Sequence, residues 1–178
     1  HAHVHNHDHD EPVTYKQDVV AATFVGANTD VETTHKIRTP YYQNYFLGNI
    51  KERWASEVYG YHHITYESIY DGIDLLFFEA EIASKYEFHI EPNANPSDIQ
   101  IDYGGQQKIK LDRNGNLIVQ SKIGEVWEKN PYAYQIKNGR IVEVDCDFVL
   151  EGKTVTYALG NYDPEIELII DPEFIFAT

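Results

Sequence analysis

Five histidines alternate with other residues at the start of the chain, His1, His3, His5, His7 and His9 within HAHVHNHDHDEP. In an extended backbone every second side chain points the same way, so the five imidazoles can share one face. Neutral imidazoles so arranged suit Zn, Ni or Cu, and Asp8, Asp10 and Glu11 could add oxygen ligands. The competing reading is a solvated linker that takes up metal adventitiously, since a flexible tract has nothing around it to hold a ligand geometry. On either reading no cofactor is required.

Other candidate chemistry is sparser. Asp71, Asp74, Glu79, Glu81 and Glu87 lie close together, and paired carboxylates can perform glycoside hydrolysis. With 29 acidic residues in 178, however, nearness in sequence carries little weight. His89, Asp98 and Ser97 supply the residue types of a nucleophilic triad, but no G-x-S-x-G elbow accompanies them. His62 and His63 are adjacent, so in a strand they face opposite ways and cannot share one metal. Asp112-Arg113-Asn114-Gly115-Asn116 opens like a calcium loop. Leu117-Ile118-Val119 then follows, with no bidentate acid to complete the site, so a turn is the better reading. Tyr41, Tyr42, Tyr45, Trp54, Tyr59 and Tyr61 cluster in sequence. Buried, such rings are sheet core, the commoner outcome; exposed, they could stack on a glycan or form a protein interface. Cys146 lies on the apolar face of an alternating strand and reads as a buried, inert thiol. No residue is assigned a catalytic role, and a non-enzymatic chain is expected.

The bulk numbers bound the partners and the class of chain. The chain carries a net charge of −15, which repels phosphate and argues against nucleic acid or anionic lipid as partner. No apolar run is long enough to span a bilayer as a helix, so no membrane insertion is expected. A hydrophobic content of 42% excludes wholesale disorder and supports one domain with a real core. One cysteine allows no internal disulfide, so cysteine usage does not identify the compartment.

The elements that position these residues read as strands. The stretch Tyr70–Gly105 sets the pattern: a turn at Asp71-Gly72, an apolar run Ile73–Phe78, the alternating strand Lys85–Ile90, prolines 92 and 96, then Ile99–Tyr103. Before it, strands are expected over Gln17–Gly26, Tyr41–Leu47 and His62–Ile69, a short strand or extended loop over Val31–Thr39, and one helical turn in Lys51–Ser56. After it, Asn114-Gly115 and Asn138-Gly139 mark two hairpins. Strands are also expected at Gly124–Lys129, across Arg140–Leu150 as one continuous strand, and at Thr154–Leu159 and Leu168–Ile170. About a dozen short strands with frequent turns predict an all-β, β-sandwich-like pair of packed antiparallel sheets. The expected division is a His-rich acidic segment over residues 1–13, one β-rich domain over 14–172, and the start of a following module or linker over 173–178.

Several segments in this order carry a resemblance. They are NYFLGN at Asn44–Asn49, YDGIDLLFF at Tyr70–Phe78, KYEFHIEPNANPSDIQIDYGG at Lys85–Gly105, DRNGNLIV at Asp112–Val119, NPYAYQ at Asn130–Gln135, ALGNYD at Ala158–Asp163 and LIIDP at Leu168–Pro172. Together they resemble the uncharacterised β-rich domain that precedes SBBP (β-propeller) repeats in large secreted bacterial surface proteins. Many of these belong to gliding or type 9-secreting bacteria and carry PKD-type modules. The resemblance implies an extracellular or cell-surface location. It also implies a structural or adhesive role, with other modules of the same polyprotein, or a complementary chain supplying missing strands, as partners. Members of that family have further strands before the segment matching Phe24–Asn28, so the resemblance implies a domain incomplete at its N-terminus. It supplies no catalytic residues. The alternatives are a glycan- or metal-binding module, through the aromatic stretch 41–61 or the histidines, and, more remotely, a glycoside hydrolase.

Overall fold

Alternation along the chain is what sorts its side chains between core and solvent. In Ile73–Glu79 the side chains of Ile73, Leu75 and Phe77 point one way, and in Tyr86–Ile90 those of Tyr86, Phe88 and Ile90 do the same. The computed structural model describes residues 17–79 and 84–177, so the histidine tract and Glu81 lie outside the described residues. Within them the chain is all-β. In chain order the strands are β1 (Ala21–Phe24), β2 (Thr33–Tyr45), β3 (Ala55–Tyr70), β4 (Ile73–Glu79), β5 (Ser84–Ile90), β6 (Ile101–Gly104), β7 (Lys108–Leu111) and β8 (Leu117–Gln120). There follow β9 (Glu125–Glu128), β10 (Tyr132–Lys137), β11 (Arg140–Val144), β12 (Cys146–Glu151), β13 (Thr154–Leu159), β14 (Leu168–Asp171) and β15 (Phe174–Ala177). Short 3₁₀ turns occupy Lys51–Arg53, where a helical turn is expected, and Pro96–Asp98.

Three antiparallel sheets result, in the orders β1-β6-β13-β12, β11-β10-β14-β5-β4-β3-β2 and β15-β9-β8-β7. The predicted all-β, β-sandwich-like packing of antiparallel sheets is therefore observed, with three sheets in place of a pair. Inward-facing residues of all three sheets meet in one core. Phe88, Ile73 and Leu75 come from the long sheet, Ile101 and Val155 from the first, and Leu117 and Val119 from the third. Each such side chain contributes about 1.5–3 kcal/mol of burial. Gln135 is the buried polar exception on β10. Its amide donates to the carbonyls of Asp163 and Ile166 at 2.8 and 2.9 Å and accepts from the Asp163 N–H at 2.9 Å, which fixes the loop before β14.

Three expectations change. The stretch Arg140–Leu150 is not one strand: β11 pairs with β10 in the long sheet, and β12 pairs with β13 in the first. The chain turns the corner at Asp145, whose carbonyl accepts from the Gly160 N–H at 2.8 Å. A Cβ at Gly160 would sit 2.9 Å from the Asp145 Cβ, so glycine is what allows this approach. Conversely, Val31–Thr39 and Tyr41–Leu47 are not separate strands. β2 runs through Pro40, which an edge strand tolerates because its N–H can be missing without breaking a ladder. Lastly, residues Phe174–Ala177, placed by the sequence in a following segment, form β15 and pair with β9.

Candidate functional site

β2 and β3 are longer than the sheet they belong to. β4 pairs with β3 only from His63 to Tyr70, whereas β2 pairs with β3 from Tyr66 back to Ala55. From Arg38 to Tyr61 the two strands therefore form a two-stranded arm, with no third strand beside it among the described residues. Most of its aromatics are exposed, with Tyr41 at 65%, Tyr42 at 50% and Trp54 at 38% of their full surface, while Tyr59 and Tyr61 are half-buried. They order one another. Tyr42 meets Tyr59 edge-on with centroids 5.6 Å apart, Phe46 meets Trp54 at 5.5 Å, and the Arg38 guanidinium lies 4.0 Å from the Tyr59 ring centre.

The bend in the arm has a chemical cause. The register shifts between Arg38 and Tyr42, and Ile37 takes a left-handed φ of 57°. At this bulge the Thr39 hydroxyl accepts from the Gly60 N–H at 3.2 Å and donates to the Tyr41 carbonyl at 2.8 Å, replacing the ladder bonds the bulge removes. Thr39 is the buried residue of β2, and a Cβ at Gly60 would press on its methyl group at 3.2 Å. Along one side runs an open groove of about 370 Å³ whose lining includes Tyr41, Gln43, Tyr45 and Val58. Its mixture of rings, amide and hydroxyl suits a ligand with alternating apolar and hydroxylated surfaces.

A second constellation is buried. Glu128, on β9, is 1% exposed and sits where the three sheets meet. Tyr103 donates to its Oε1, and Tyr86 donates to its Oε2 at 2.9 Å; the Tyr157 hydroxyl lies 3.4 Å from that of Tyr86. Burial raises the Glu128 carboxyl above its usual range, and the two tyrosine hydrogen bonds pull the other way. Burial likewise raises Tyr86, Tyr103 and Tyr157, with Glu128 the next contributor to each. An apolar cleft lined by Phe24, Phe77 and Ile101 reaches the rings of Tyr86 and Tyr103, but at about 160 Å³ it is smaller than ordinary ligand sites. The arrangement welds β9 to β5 and β6 and keeps the carboxyl from solvent. Sequence reasoning missed it because Glu128 is one acid among 29.

The family described as Domain of unknown function (DUF7948) matches residues 1–173. The chain belongs to this family. No curated protein and no solved structure matches it.

In this DUF7948 domain the sequence-derived candidates are dispersed among local partners. Asp74 accepts from the Ser68 N–H at 2.7 Å and holds Ser68 in its left-handed conformation, while Asp71 lies exposed in the β3–β4 turn. Glu79 contacts His62 across the β3–β4 ladder, and His63 points the other way to stack on Phe78 at 6.0 Å. Glu87 meets His89 Nε2 at 3.0 Å, with Glu167 3.3 Å from its Nδ1. The Glu87 hydrogen bond raises the His89 imidazole above its usual value, against the opposing effect of burial. The triad of His89, Asp98 and Ser97 is not assembled. Asp98 accepts from the Asn95 amide at 2.8 Å in the 3₁₀ turn, where Ser97 offers its backbone N–H to the same asparagine. Asp112 is a turn-former: its carboxylate accepts from the backbone N–H groups of Asn114 and Asn116 and from the Asn116 amide, which hold it below the usual carboxylate range. Cys146 is buried, and burial pushes its thiol up to about 12. His1, His3, His5, His7 and His9 lie outside the described residues; among the described ones no group of three or more His, Cys, Asp or Glu could hold a metal ion. No described helix is long and apolar enough to cross a membrane.

Proposed function

We propose that this chain is a non-enzymatic structural or adhesive module of a large secreted bacterial surface protein, making contact with other modules or chains through the β2–β3 arm. The observation that carries the reading is the exposure of the arm's aromatics. Rings such as Tyr41 and Trp54 face water on a two-stranded projection, where they add little to the core. Clustered exposed aromatics are what interfaces use, because they supply large contact area at small entropic cost. The surface location and modular setting rest on the resemblance to the domains preceding SBBP repeats. A second reading, glycan recognition, is favoured by the groove beside Tyr41, Gln43 and Tyr45. Hydrolysis has less support, since Asp74, Glu79 and Glu87 each have a local partner.

The test uses beads coated with the intact chain or with a Tyr41→Ala/Tyr45→Ala variant. Arm-dependent clustering of beads, or arm-dependent adherence to protein-coated surfaces, is the expected result. Arm-dependent retention on immobilised polysaccharides instead would move the conclusion to the glycan reading. Equal behaviour of the two proteins in every format would overturn both.

A further inference from the structure

The arm differs in charge from the molecule that bears it. Over the arm, residues 38–61, there are three bases, Arg38, Lys51 and Arg53, against the two acids Glu52 and Glu57. This segment is thus +1 in a chain of −15, which leaves −16 on the rest.

At the opposite edge of the same seven-stranded sheet lies a second exposed apolar patch. β11 is that edge, and Ile136 and Ile141 face each other across the β10–β11 hairpin at 53% and 65% exposure. Tyr134 stands on the same face, stacked on Tyr132 at 5.5 Å. Acids rim this patch. Glu143 is directly opposite Tyr134, Asp171 is opposite Tyr132, and Glu167 and Glu87 flank the neighbouring His89. Of the nearby bases, Lys85 is turned toward Asp171 at 3.7 Å and Lys137 toward Asp163 at 3.3 Å, while Arg140 lies at the hairpin turn.

The two patches are complementary in the balance of their charges: bases are in excess by one on the aromatic arm, and acids (Glu87, Glu143, Asp163, Glu167 and Asp171) outnumber Lys85, Lys137 and Arg140 around the hairpin patch. Six inter-strand spacings separate β2 from β11, roughly 29 Å at about 4.8 Å each, so the patches are arranged to meet between molecules rather than within one. Simple pairing of β2 with another strand is disfavoured, because Pro40 lacks an N–H and the bulge at Ile37–Thr39 twists the edge. A partner therefore meets the side chains of the arm.

We propose that copies of this chain associate head to tail, the Arg38- and tyrosine-bearing arm of one docking on the Tyr134–Ile136–Ile141 patch and acidic rim of the next. This rests on the reading of the arm as a contact surface and names its partner. The contact is heterologous, so it propagates into chains unless the rotation between copies closes a ring. Opposite charge steers the encounter, and the apolar patches supply the burial.

Sedimentation velocity on the intact chain tests it, over a wide concentration range at low and high salt. Reversible, concentration-dependent growth that weakens with salt is expected. Arg38→Glu/Tyr41→Ser alters the arm alone, and Ile136→Ser/Ile141→Lys alters the hairpin alone. All four positions are exposed, and circular dichroism checks the fold. Each variant alone should associate about tenfold or more weakly. Mixed together they should form one-to-one pairs and nothing larger, because each retains one intact surface. A wild-type chain that stays monomeric, association unchanged by either variant, or a mixture that does not pair would each overturn the proposal. If the wild type is monomeric while adhesion in the bead test still depends on the arm, only the choice of partner falls. If the arm substitutions alter neither measurement, the contact-surface reading falls with it.

Discussion

Among single residues, Glu128 has the largest predictable consequence. Its folded-state carboxyl is raised above the ordinary 4.5 by burial. The folded chain thus binds this proton more tightly than the unfolded one. The stabilisation is present in full below about pH 4.5 and is lost as pH rises through the folded-state value. Glu128→Gln keeps a carbonyl acceptor for Tyr103 or Tyr86 and cannot ionise. Denaturant titrations from about pH 4 to about pH 8 should show a flatter stability profile for the glutamine variant than for wild type. Glu128→Ala removes the acceptor for two buried hydroxyls and should cost about 2–4 kcal/mol at low pH, and less as pH rises and the wild type loses its own contribution. Parallel wild-type and glutamine profiles would show that Glu128 does not titrate differently in the fold. In sequence this residue is invisible: Val126-Trp127-Glu128 reads as an ordinary alternating strand, and only the packing of three sheets turns its glutamate inward. Asn138 and Gly139 were legible for the opposite reason. Both take left-handed φ, 52° and 73°, in the two-residue hairpin that Asn-Gly prefers, so the information is local.

For whole elements the limit of legibility is the same contrast between local and distant causes. The alternation that predicts β4, β5 and β10 runs unbroken from Val144 to Cys146 and Phe148, all buried, although the chain changes sheets at Asp145. A corner that preserves the two-residue period leaves no mark in a hydrophobic pattern. Pro40 and Gly60 mislead in the other direction: they look like strand breaks, yet β2 and β3 pass through them because Thr39 repairs the bulge with its side chain. Whether Tyr41 and Trp54 are buried also depends on what packs beside the strands, which is a tertiary fact. The repair is testable. Thr39→Val keeps the shape and removes both hydroxyl bonds, and should cost about 1–2 kcal/mol. The loss should be local, so hydrogen exchange of Gly60 and the Tyr42–Tyr59 pair should accelerate while the amides of Phe88 and Ile170 keep their protection. Uniform acceleration across the core would mean that the arm and the sheets open as one unit.

For the whole molecule the governing quantity is charge. At −15 the chain repels itself, and the repulsion is concentrated in the −16 outside the arm. Salt screens like and unlike charges equally, so its effect depends on which pairs a process brings together. Folding gathers mostly acids, and added salt should stabilise the monomer. A gain of about 1 kcal/mol corresponds to a Tm increase of roughly 2–4 °C for a chain of this size. Head-to-tail docking instead brings the basic arm to the acidic rim of the hairpin patch, and the same salt should weaken it. The two responses are separable, because unfolding of dilute protein reports the first and sedimentation of concentrated protein the second. Opposite signs are expected. Association that strengthens with salt would mean that apolar burial at Tyr41 and Ile141 acts against net repulsion, without the pairing of Arg38 to acids. In that event Arg38→Glu should leave association intact while Ile141→Lys still abolishes it.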